Sequence, residues 1–122
     1  MSLNNLSPVV KGEIILSQEL RSFSGAAANV YLEDVTLIDA PSNCIDKQVI
    51  TDINHQRGIT NSVKFTLNSE TCDENARYTI TAHISINGND KIQCGDFMTM
   101  ESYPVLTFGY PHRVLIKVLE VK

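Results

Sequence analysis

Between residues 78 and 86 the chain reads Tyr-Thr-Ile-Thr-Ala-His-Ile-Ser-Ile, an unbroken alternation of apolar and polar side chains. On an extended backbone successive side chains point to opposite sides, so Tyr78, Ile80, Ala82, Ile84 and Ile86 share one face and Thr79, Thr81, His83 and Ser85 the other. The pattern predicts a strand with one buried and one solvated face, as antiparallel sheets have. Asn87-Gly88-Asn89-Asp90 follows at once. Asn-Gly suits the positive φ angles of a tight hairpin, so residues 91–100 are expected to return alongside, with Gly95 marking a bulge.

The same period-2 reading predicts strands over residues 9–16, 28–37, 45–53, 62–68, 103–108 and 113–121. In the third, Ile45, Val49, Thr51 and Ile53 share a parity; in the fourth, Val63, Phe65 and Leu67 do. In the last, Val114, Ile116 and Val118 oppose Leu115, Leu119 and Val121, which predicts partial cover on both faces. Gly, Pro, Asn, Asp and Ser fill the gaps. Residues 18–28 lack a sustained 3.6-residue period, so no helix is expected. The expected fold is all-β: an antiparallel β-sandwich of seven to eight strands, immunoglobulin- or transthyretin-like, with a small β-barrel as the alternative.

Length and composition narrow the function classes. At 122 residues, the chain fits one domain, read as residues 8–122 behind a linker or scar over 1–7. Met1-Ser2-Leu3 shows neither a basic nor an apolar leader region, and reads either as a native start or as what replaces a removed leader. With 43% apolar and 20% charged residues, it is neither disordered nor a helical membrane protein. A net charge of −4 and scattered Lys and Arg argue against nucleic-acid binding, which needs a basic stripe.

A search for chemistry finds little. Cys44, Cys72 and Cys94 have no zinc-ligand spacing. They form either one disulfide plus one thiol or three buried or half-buried thiols. His55, His83 and His112 read as solvated surface groups. His83 and Cys94 share the expected hairpin but face opposite ways, which disfavours a Cys–His nucleophile. Glu33, Asp34 and Asp39 lack the spacing of a calcium loop, and an Asp ending a strand is expected to cap backbone N–H groups. The glycines stand singly, without a phosphate loop. No catalytic residue, metal or cofactor is expected. The most aromatic stretch, residues 103–111, offers Tyr103 and Tyr110 as binding candidates for a sugar or a protein. In the competing reading Tyr103 and Phe108 pack beneath a sheet edge that Pro104 keeps from pairing.

Several segments together resemble the YbaY/YscW-type family of small bacterial lipoproteins, which includes pilotins, the lipoprotein chaperones of type III secretion. They are Val10-Lys11-Gly12-Glu13-Ile14; Leu32-Glu33-Asp34-Val35-Thr36-Leu37-Ile38-Asp39-Ala40-Pro41; Val63-Lys64-Phe65-Thr66-Leu67; the acidic turn into a Tyr strand with Tyr78 and Ala82; and Tyr103-Pro104-Val105-Leu106-Thr107-Phe108-Gly109-Tyr110-Pro111. The order spans the chain from about Val9 onward. The family's lipid-bearing Cys and leader are not in this sequence, and the three cysteines and the 54–61 connection also depart from its pattern. The resemblance implies a β-sandwich exported to the periplasm or anchored at the outer membrane, with Gly12, Leu32, Asp34, Asp39, Pro41, Tyr78, Pro104, Thr107 and Gly109 as structural motif positions. The expected function is non-enzymatic binding or chaperoning of another envelope protein. The alternative is a small-ligand or glycan-binding module.

Overall fold

The computed structural model describes residues 9–37, 39–69, 73–89 and 91–122. Among them are nine strands and no helix: β1 (Val9–Leu16), β2 (Phe23–Asp34), β3 (Asn43–His55), β4 (Asn61–Asn68), β5 (Tyr78–Ser85), β6 (Phe97–Met98), β7 (Pro104–Val105), β8 (Arg113–Lys117) and β9 (Leu119–Glu120). A small sheet runs β4-β1-β8, and a larger one runs β3-β2-β5-β6-β9 with β7 also on β5. The two are not closed into a barrel, and the architecture is the expected sandwich. One pairing departs from the antiparallel expectation, because β1 and β8 run parallel.

The core lies where the alternation puts it. Val10, Ile14 and Leu16 of β1, Phe65 and Leu67 of β4 and Ile116 of β8 face Ala28, Val30 and Leu32 of β2 and Tyr78, Ile80, Ala82 and Ile84 of β5. A fully buried Leu or Ile contributes about 1.5–3 kcal/mol of transfer free energy, so this shared interior carries most of the fold's stabilisation. Gly12 is needed here for space. A Cβ at that position would collide with the Val114 carbonyl oxygen and stand 2.5 Å from Phe65 Cζ.

In β3 two register shifts against β2 flip the expected parity, one beside Ile45 and one around Asp52, whose φ is +56°. Val49 is therefore exposed, while Ile50 joins the core margin with Ile45. Asp46 and Gln48 reach across to the small sheet, accepting the N–H groups of Asn68 and Thr66. Inward polar groups on edge strands of this kind block further pairing.

The expected strand over 113–121 breaks at buried Val118, because the chain there changes sheets: β8 pairs with β1 and β9 with β6. The expected strand over 103–108 shrinks to Pro104–Val105, and its proline joins a ladder rather than blocking one. The hairpin return beside β5 forms a ladder only at Phe97–Met98. Met98 faces His83 and Pro104 faces Thr79, so six steps of one strand span four of the other. The slack lies over the outer face of β5. That face is consequently not solvated as expected, and Thr79, His83 and Ser85 are buried.

Candidate functional site

Three of the singled-out segments converge at one end of β5. Asp34, closing β2, accepts the backbone N–H and the hydroxyl of Thr36, the strand-end capping expected of it. Thr36 Oγ1 in turn accepts the Arg77 N–H at 3.0 Å, and Val35 N–H donates to the Arg77 carbonyl at 2.8 Å. Thr107, buried, donates its hydroxyl to the Ala76 carbonyl at 2.6 Å, fastening the 105–111 loop to the same place. The result is a hollow of about 170 Å³ walled by Val35, Arg77, Tyr78, Pro104, Phe108 and Tyr110, among others.

The loop that walls it is under backbone strain. Leu106 and Phe108 have φ of +73° and +56°, with Gly109 at +82°. A non-glycine residue there costs about 1–3 kcal/mol, a kind of strain that gathers at ligand clamps and active sites. The loop is held by Leu106 N–H on the Pro111 carbonyl and Tyr110 N–H on the Thr107 carbonyl. Phe108, expected to pack under a sheet edge, instead stands 54% exposed, with the Arg77 guanidinium 4.6 Å from its ring centroid. Of the two tyrosine candidates, Tyr110 lines the hollow and Tyr103 does not. Tyr103 hydroxyl accepts the Lys117 N–H at 3.0 Å and donates to Glu101, capping the free edge of β8. Burial, and next to it the Glu101 carboxylate, push its pKa up against the opposing Lys117 amide.

Two histidines expected at the surface are buried. His55 Nε2 donates to the Leu20 carbonyl, and its Nδ1 accepts from Asn61. His83, 3% exposed, donates from Nε2 to Asp96 Oδ2 at 2.8 Å, and Asp96 is 1% exposed. Asp96 also accepts the N–H groups of Ile86 and Gln93. Burial pushes the Asp96 carboxyl up, but the His83 hydrogen bond, the two amides and the His83 charge outweigh it and hold the pKa below its ordinary value. Ser85 follows on the same face, yet its buried Oγ makes no hydrogen bond, so nucleophile and base are unlinked. Neither His83 nor Asp96 lines the aromatic hollow. The set is a structural clamp.

Cys44 and Cys94 are free and exposed, not buried or half-buried as expected, and Cys72 lies outside the described residues. His112 is exposed, as expected. Glu33 accepts the hydroxyls of Ser42 and Thr81, and Asp39 is exposed. No group of three metal-binding side chains comes together among the described residues. Arg77 had no role in the sequence reading, and Phe108 had only a packing one. The signal, had it been used, was their place inside the two motif segments that meet.

With this geometry in place, comparison with known proteins is informative. A search of curated proteins found no match. A solved structure of an alternative pilotin from the type II secretion system of Vibrio cholerae superposes with a TM-score of 0.73 at 26% identity, covering 93% of this chain and 96% of that one. The model of the YscW family, described as type III secretion system lipoprotein chaperones, matches residues 6–118, nearly the whole chain. The chain belongs to the YscW family of secretion lipoprotein chaperones.

Proposed function

We propose that this chain is a non-enzymatic, pilotin-like chaperone of the cell envelope, periplasmic or held at the outer membrane, and that the aromatic hollow grips a protein partner belonging to a secretion system. The observation that carries this reading is the meeting of three motif segments at a strained, aromatic-walled hollow. Its volume, about 170 Å³, falls short of the roughly 300–1,000 Å³ usual for small-molecule sites. It suits one inserted apolar side chain, the anchor type that dominates protein interfaces. Arg77 and Phe108 form a rim that combines stacking with a charge.

The test is a photo-crosslinking phenylalanine analogue placed at position 108 in cells, with position 47 as control. An adduct to an envelope secretion component at 108 alone, lost on Tyr110→Ala, supports the reading. No adduct at 108, or equal adducts at both positions, overturns it. A melting-temperature rise with a glycan panel, abolished by Phe108→Ala, would favour the ligand-binding alternative.

A further inference from the structure

The small sheet turns a second, different surface outward. Alternation along β1, β4 and β8 puts Lys11, Glu13, Lys64, Arg113, Leu115 and Lys117 on its outer face. A trough of about 490 Å³ crosses all three strands there. Four of the chain's ten Lys and Arg residues share this face with one carboxylate, in a protein whose net charge is −4. None of the four cationic side chains makes a hydrogen bond or ion pair among the described residues. Glu13 is taken by the Ser62 hydroxyl at 2.9 Å. Lys11 and Arg113 are direct cross-strand partners. Like charges placed opposite one another destabilise a sheet. An anion seated between them would relieve that repulsion.

We propose that this face docks an acidic, extended segment of a partner protein. Lys11 and Lys64 lie on a cross-strand diagonal, roughly 7–8 Å apart. Carboxylates two residues apart on an extended segment are separated by roughly 6.6–6.8 Å. The spacing fits an acid-x-acid pattern, with the Arg113 guanidinium offering the two-pronged geometry that carboxylates accept. Leu115, 60% exposed, supplies an apolar contact beside it. The trough is concave and carries Glu13 in its lining, which suits an inserted chain better than a flat anionic bilayer. The surface shares no lining residue with the aromatic hollow.

The probe is a fluorescein-labelled peptide of alternating glutamate and serine around one leucine, followed by anisotropy. Binding at low salt is expected to weaken at least tenfold in the Lys11→Glu, Lys64→Glu, Arg113→Glu triple variant. It should vanish near 1 M salt, where the screening length is about 3 Å. A glutamine version of the peptide should not bind, and Phe108→Ala should leave the affinity unchanged, separating this test from that of the hollow. Circular-dichroism melting confirms that the variants are folded. No binding to the wild-type protein, binding indifferent to the triple reversal, or sedimentation with phosphatidylglycerol vesicles without peptide binding overturns the proposal.

Discussion

The outer faces of the two sheets carry the same kind of sequence and meet opposite fates. On β5, Thr79, His83 and Ser85 alternate with core residues and end up buried beneath residues 93–103 of the same chain. On β1, Lys11 and Glu13 alternate with core residues just as regularly and stay open. The difference is chemical. A hydroxyl or an imidazole can be covered at low cost once it finds a partner, as Thr79 does in the Tyr103 amide and His83 in Asp96, with the Ser85 hydroxyl alone of the three left without one. A cluster of unpaired cations cannot be covered by its own chain without several buried charges to match. One face therefore stabilises the fold, and the other is free to meet something else.

The largest effect should come from removing the roof's anchor. Asp96→Ala leaves His83 buried without its partner and frees two amides, and breaking a buried pair costs about 3–5 kcal/mol. Thermal unfolding should show a fall of ten degrees or more, taking roughly 3–6 °C per kcal/mol for a chain of this length. If the loss is under 1 kcal/mol, the roof is loose and the contrast between the faces fails. The same pair has an acid signature. Because the folded-state pKa of Asp96 is depressed, its contribution is fully present above the ordinary aspartate value of about 3.9 and is lost as pH falls through the lower folded value. Melting temperature followed from neutral to acid pH should drop more steeply in this window for the wild type than for Asp96→Asn.

On the open side, the sheet should be sensitive from beneath and tolerant from above. Gly12→Ala drives a Cβ into Phe65 and the Val114 carbonyl, and overpacking of this kind costs about 1–3 kcal/mol. Chemical denaturation should report it as a lower midpoint. Lys64→Ala, on the outward side of the same sheet, should stay within about 0.5 kcal/mol. Equal losses for both would mean that the cationic face is part of the fold's support.

How much of this was legible in sequence follows from where each determinant sits. Inner faces were readable because alternation is local: Val10, Phe65, Ile80 and Ile84 stand where their parity puts them. The roof over His83 was not, since it depends on Asp96, thirteen residues away and joined to β5 by a two-residue ladder. The parity of β3 failed at Val49 because bulges beside Ile45 and Asp52 leave no mark in hydrophobic period. At the hollow, aromatic composition pointed to Tyr103 and Tyr110, but only Tyr110 lines it, while Tyr103 caps the β8 edge through Lys117. Which aromatic faces outward is set by the positive φ of Leu106 and Phe108, and residue type predicts glycine at such angles.

The smallest predicted effect has the opposite sign, and it probes the comparison most directly. Arg113→Gln removes one of two cations that face each other across β1 and β8 and breaks no hydrogen bond or ion pair of its side chain. Relief of like-charge repulsion at an exposed cross-strand pair is worth a few tenths of a kcal/mol, so the variant should be slightly more stable than the wild type. Salt near 1 M should erase the gain, because screening already removes the repulsion from the parent. Paired denaturation curves at low and high salt measure both. A gain at low salt alone means the face holds its charge at the expense of stability, as a docking surface would. A loss at either salt concentration means Arg113 supports the sheet, and the bare face would then differ from the roofed one only in how it is held.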